Sequence, residues 1–318
     1  MNTFGKRGTT AGRYALHRFP SPNSDPWIFY SHGKRNRSHT FYSLSERRVH
    51  NRCLKEMMYT DILCSMHGWL VLSNQNDRRS LRLFNPVSMA TIQLPLFSRP
   101  CCYDFGALSC DPKSPDCIVM LIKFSQPRST YYFCRPGDIN WNEHEVELEV
   151  EEGPGPDNVS ALGCYKGLMC IFTLLDKIFL VGANPPYLTL TKLGVDNAIP
   201  CNPGHWAGFQ SYLVESDGEL FVIQKYILRD DAYDFVVCKV DINDKKRFVV
   251  VDDLGGRAFF LSSFRSGISC SVEDCGIKAN TIYFTERSDP CVYSFDLKNK
   301  VITFSLPCPN VKRNLVQA

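Results

Sequence analysis

The chain contains no CxxC pair and no GxSxG, HExxH, Walker or GxGxxG motif, so the common redox, nucleophile-elbow, zinc-protease and phosphate-cradling signatures are missing. Long apolar runs are also missing. The longest stretches, CIVMLI and LMCIFTLL, are far shorter than a bilayer-spanning helix. The first twenty residues lack the continuous apolar core of a secretory signal. Net charge is small, +3 over 318 residues, and gives no electrostatic argument for nucleic acid or membrane. Leucine is scarce at the front: residues 1 to 60 hold only Leu16, Leu44 and Leu54. Acids are absent from the first 24 residues, which carry Lys6, Arg7, Arg13 and Arg18 among Thr and Ser.

Apolar and aromatic residues are plentiful, at 44% and 12%, and are enough to bury a large core. The fifteen cysteines are odd in number and several lie within apolar runs (Cys117, Cys134, Cys170, Cys238), where a reduced thiol behaves as a small hydrophobe. Neither Cys101-Cys102 nor Cys270 to Cys275 has zinc-ligand spacing. We therefore expect mostly buried thiols in a reducing compartment, with no metal and no cofactor.

The apolar residues recur in short alternating runs. HGWLVLSNQNDRRSLRLFNP, followed by ATIQLP, reads as a three-strand meander, with His67 in a loop or at an edge. A second group holds GALSCD, CIVMLIKF, STYYFC and INWNEHEVELEV; a third holds GLMCIFT, KIFLV and YLTLTKL. FQSYLVE and ELFVIQKYIL flank Asp217-Gly218, a strong hairpin signal, and lead into DFVVCKVD and KRFVVVD. RAFFLS, NTIYFT, VYSFDL and VITFSLP form a fifth group, and PWIFYS with HTFYSL a weaker one near the N-terminus. About six groups at intervals of roughly 40 to 60 residues bracket the period of propeller blades. The expected fold is all-β, a single propeller of about six blades, with a pair of β-sandwiches as the alternative. Closing such a ring brings its ends together, so PWIFYS is expected to pair with the blade of VITFSLP. The domain plan is a basic segment over 1–24, the propeller over 25–307 and a tail over 308–318.

Few residues suggest chemistry. Glu145, Glu147, Glu149 and Glu151 alternate with Val146, Leu148 and Val150, which places all four acids on the outer face of one strand. Cys134 beside Arg135 ends an apolar run and reads as structural. Asp104, Asp138 and Asp274 could be imagined at a central funnel, as in a propeller glycosidase, yet turns use Asp routinely. The best functional candidate is His205-Trp206 after CNPG, an aromatic on a stiff connection suited to anchoring a partner. The competing reading has Trp206 capping the next blade.

Taken in order, HGWLVL, LFNP with IQLP, the CDP stretch leading into CIVMLIKF, YYFCRPGDINW, YLVESDGELFVIQKY, DLGGRAFFLS and SVEDCGIKANTIYFTE resemble the plant F-box-associated propellers of the KIB type over roughly residues 25 to 305. The resemblance implies a plant β-propeller that usually follows an N-terminal F-box. In such proteins the F-box docks on the adaptor of a cullin-type ubiquitin ligase, and the propeller recognises the protein to be ubiquitinated. No Leu-rich F-box occurs in residues 1 to 60. The expected role is therefore a non-enzymatic protein-interaction propeller, cytoplasmic or nuclear, with an unknown target protein. The ligase adaptor would be a partner only of a longer form that supplies an F-box. An F-box-independent organellar member, addressed by the acid-free N-terminus, and a glycosidase-like enzyme are the alternatives.

Overall fold

A computed structural model describes residues 26–32, 38–100, 102–125, 128–147, 159–195, 197–200, 206–228, 232–242, 247–273, 276–286 and 289–307. Six antiparallel-rich sheets follow one another along the chain. The first has three strands, β1 (Trp27–His32), β2 (Ser38–Ser43) and β3 (Arg48–Arg52). The second is β4 (Thr60–Met66), β5 (Trp69–Asn74), β6 (Leu81–Phe84) and β7 (Thr91–Gln93); the third is β8 (Phe105–Leu108), β9 (Val119–Ser125), β10 (Arg128–Cys134) and β11 (Asn142–Glu147). The fourth is β12 (Val159–Tyr165), β13 (Leu168–Thr173), β14 (Ile178–Asn184) and β15 (Tyr187–Leu193); the fifth is β16 (Trp206–Ser216), β17 (Glu219–Leu228), β18 (Tyr233–Asp241) and β19 (Arg247–Val250). The sixth is built from β20 (Arg257–Leu261), β21 (Gly267–Ser271), β22 (Thr281–Glu286), β23 (Asp289–Asp296) and β24 (Val301–Ser305).

Side-chain alternation turns these sheets into a ring. Along β5, Trp69 and Val71 pack toward the third sheet while Leu70 and Leu72 pack toward the first. Along β17, Leu220 and Val222 face the fourth sheet while Phe221 and Ile223 face the sixth. Period two thus gives each blade two apolar faces, one for each neighbour. Each of six apolar clusters joins a pair of adjacent blades, and the one made of Tyr30, Tyr42, Ala258, Phe260, Tyr283 and Val292 joins the first blade to the sixth. The architecture is a six-bladed propeller, not a sandwich pair.

The closure differs from the sequence expectation. PWIFYS does not join the sheet of VITFSLP: β1 pairs with β2 in a blade of its own, and β24 pairs with β23. The ring shuts by packing of blade faces, with Phe260 stacked on Tyr283 at 5.0 Å in the closing cluster. A shared sheet is unnecessary once the first blade has enough aromatic surface to fill its own place. The sixth blade also departs from a simple meander. After β20 the chain turns inward to form β21, and β22 then runs parallel to β20, giving the order β21-β20-β22-β23-β24.

The loop-or-edge position expected for His67 resolves into one of three matching turns. His67-Gly68, Lys166-Gly167 and Asp217-Gly218 each join the first two strands of a blade, with φ of 52° and 76°, 49° and 77°, and 51° and 75°. Two successive positive φ values make a type I′ turn, whose twist matches the strands it connects. His67 is therefore a turn residue. Its Nε2 lies 3.3 Å from the Leu108 carbonyl, which also accepts from the Cys164 thiol at 3.1 Å, so blades two, three and four are tied together there.

Candidate functional site: an aromatic rim over blades four and five

In a meander the turns alternate between the two rims, and Trp206 opens β16, the innermost strand of blade five. β16 and β17 run eleven and ten residues, against seven for β4 and β12, which open blades two and four. Trp206 therefore rides on a hairpin that extends further than its neighbours. Its ring is 38% exposed and meets Phe209 edge-on at 5.7 Å and Tyr226 at 6.2 Å. A register shift between Trp206 and Gly208, opposite Leu228 and Ile227, bends the strand start. The indole is thus held by two aromatic neighbours while part of it remains in solvent.

Hydrogen bonds carry this platform to the adjacent blade. Tyr226 Oη donates to Gln224 Oε1 at 2.5 Å, and Gln224 Nε2 approaches Asp176 Oδ1 at 3.5 Å. Asp176 Oδ2 accepts from the Ile199 backbone N–H at 2.9 Å. Asp176 sits in the turn between β13 and β14 beside Leu174 and Leu175, which are 48% and 55% exposed. Trp206, Leu174 and Leu175 therefore belong to one rim, with an ordered polar layer behind them. The sequence pointed to Trp206 but gave no hint of the leucines, since a Leu pair at the end of an apolar run reads as core. His205 lies outside the described residues.

The mouth of the ring on this rim is occupied. The β20–β21 turn sends Arg265 across the axis from blade six, so that its guanidinium lies 5.0 Å from the Phe105 ring of blade three and Nη1 lies 3.4 Å from the Ser160 carbonyl of blade four. Arg265 has a φ of +61° in a turn that also hydrogen-bonds Ser262 to Ser266. The cation over the aromatic face favours this crossing.

The two described members of the acid set expected at a funnel, Asp104 and Asp138, are engaged locally. Asp104 accepts from the Phe124 N–H at 2.7 Å and Asp138 from the Arg135 N–H at 2.7 Å, each fixing its own local backbone, while Asp274 lies outside the described residues. Glu145 is exposed on the outer strand β11 and pairs with Arg128 at 3.2 Å; Val146, the next residue, packs against the apolar cluster between blades three and four. Glu149 and Glu151 lie outside the described residues. Among the described residues no group of three His, Cys, Asp or Glu side chains is placed to hold a metal. The approach of Cys164 Sγ to His67 Nε2, 3.8 Å, resembles a nucleophile–base pair. Burial pushes that thiol well up and the imidazole down, so neither the thiolate nor the imidazolium is favoured. Cys134 is likewise buried and its thiol is pushed up by desolvation.

One charge lies in the core at a position that no motif marked. Lys225, in the run ELFVIQKYIL, is buried between blades five and six, where its ammonium pairs with Glu286 and sits 5.2 Å from the Tyr233 ring and 5.3 Å from that of Phe284. Burial lowers its pKa, and Glu286 opposes the shift.

The KIB1-4 β-propeller family matches residues 41–298. This chain belongs to that family. An F-box/kelch-repeat protein of Arabidopsis thaliana, At1g57790, is 26% identical over 280 residues, covering 86% of this chain and 75% of that protein. A second Arabidopsis thaliana relative, the F-box protein At4g00893, is 27% identical over 214 residues, covering 62% of this chain and 50% of its own length. Among solved structures, the AfRom2 CNH domain aligns with a TM-score of 0.42 at 9% identity, over 88% of this chain and 87% of that one.

Proposed function

We propose that this KIB1-4 propeller is a protein-interaction module whose partner docks on the rim of blades four and five. The observation that carries the reading is Trp206, exposed yet braced by Phe209 and Tyr226 and flanked on the same rim by exposed Leu174 and Leu175. A rigid, amphipathic indole gives a partner large contact area at small entropic cost, as binding hot spots require. Two curated relatives are F-box proteins by name, which supports the finer reading of a substrate-recognition propeller. In that reading a chain also bearing an F-box delivers the bound protein to a ubiquitin-ligase adaptor. The Arg265–Phe105 contact across the ring mouth favours binding on the rim over chemistry in the funnel.

The test has two steps. A partner is captured from plant extract and identified, and its affinity is then measured by calorimetry with the purified chain. Trp206→Ala is expected to weaken binding by about 2 kcal/mol or more, the usual hot-spot threshold, with little change in thermal stability. A sharp fall in melting temperature with unchanged affinity in the folded fraction would make Trp206 a packing residue and remove the site.

A further inference from the structure

Each blade ends in an exposed outer strand, and five of the six are poorly suited to pairing with a copy of themselves. β3 carries Arg48 and Arg52, β11 carries Glu143 and Glu145, β15 carries Lys192, β19 carries Arg247, and β7 has only three residues. Charges on edge strands repel like edges and keep sheets from joining. β24, VITFS, is the exception. It has no charge, and the sequence from Val301 to Val311 has none either. Among the described residues no strand lies on its outer side. Its exposed large apolar side chains are Val301 at 52%, Phe304 at 71% and, just beyond, Leu306 at 47%, with Thr303 and Ser305 also exposed.

We infer that β24 is a self-association edge, pairing antiparallel with β24 of a second copy of this chain. The sequence is self-complementary in one register. Centred on Thr303, antiparallel pairing places Ile302 opposite Phe304 of the second copy, Val301 opposite Ser305, and Lys300 opposite Leu306, so no like charges meet. Ile302 and Phe304 share one face of the strand, opposite Phe295 and Tyr293 of β23. Ile302 already packs against the cluster between blades five and six, and Phe304 lies 6.2 Å from Tyr293, which stacks on Phe284 at 5.0 Å. Two Ile–Phe pairs across the two-fold axis would extend that apolar surface and cover Phe304. The contact uses one patch on both copies, so it closes at two copies and does not propagate.

Sedimentation velocity of the full chain over a concentration series tests this. Wild type is expected to shift reversibly from monomer to dimer as concentration rises. Phe304→Lys, at an exposed position that leaves the core intact, should raise the dissociation constant about tenfold or more by removing both cross-strand pairs. Thr303→Lys, which sets two ammonium groups against each other at the axis, should do the same. Val250→Lys on β19, another exposed outer-strand position, should leave dimerisation unchanged. A wild-type chain that stays monomeric to about 300 μM, a dimer that survives Phe304→Lys, or one abolished by Val250→Lys would each overturn the assignment.

Discussion

His39 offers a direct test of the packing in the first blade. The residue is 1% exposed on β2, its ring stacks on Phe29 with centroids 5.9 Å apart, and its Nδ1 accepts from the Leu54 N–H at 3.0 Å. Burial, reinforced by neighbouring His32, lowers its pKa from 6.5 to about 4, while the Arg52 backbone and Glu56 pull weakly the other way. A histidine with a depressed folded-state pKa binds its proton more readily when unfolded. Its neutral form therefore costs nothing above pH 6.5, and stability is lost as pH falls from 6.5 toward 4. The full shift corresponds to about 3 kcal/mol, of which about 2 kcal/mol is felt between pH 7.5 and pH 5. His39→Asn keeps an acceptor near Nδ1 and removes the titration. Urea unfolding of both proteins at the two pH values isolates this residue from His32 and His67, which also have lowered pKa values and remain in both chains. The stability loss on acidification should be about 2 kcal/mol smaller in the variant. Equal losses in the two proteins would show that His39 is hydrated or protonated in the folded blade, and the burial argument would fail.

Other consequences follow from the same packing. A Cβ at Gly163 would stand 2.5 Å from Leu213 Cβ, where β12 and β16 approach, so Gly163→Ala should cost about 1–3 kcal/mol by denaturant melts, whereas Gly208→Ala, with open space around it, should be near neutral. Equal stability of the two variants would mean the inner strands can separate freely. Removing residues 1–24 should leave the melting temperature unchanged, while removing 1–44 deletes β1 and β2 and uncovers Phe260 and Tyr283; matching melting curves for the two truncations would refute closure by the first blade. Denatured under thiol-trapping conditions, the protein should titrate with nearly all fifteen cysteines reduced, and two or more stable disulfides would refute this.

The amino-acid sequence alone determined what period-two alternation and turn chemistry can encode. The runs of the second and fourth groups became β8–β11 and β16–β19, and Asp217-Gly218 became the hairpin turn it resembled. A ring of about six blades followed from spacing, and the alternation of Glu145 with Val146 gave the outer face of β11. Strands with weaker patterns escaped notice: β3 and β4 mix polar with apolar residues, and β12 is buried through small residues such as Ser160, Ala161 and Gly163 that carry little apolar signal. What required the tertiary structure was every relation between distant segments. Closure by packing in place of pairing, the burial of Lys225 against Glu286 and the reach of Arg265 to Phe105 each bring together segments 61 or more positions apart. A Leu pair reads as core whether it is buried or, like Leu174 and Leu175, left at a turn, because local sequence does not specify which neighbour covers it. The order of strands was local information; the partners of their side chains were set by a ring whose geometry no single segment contains.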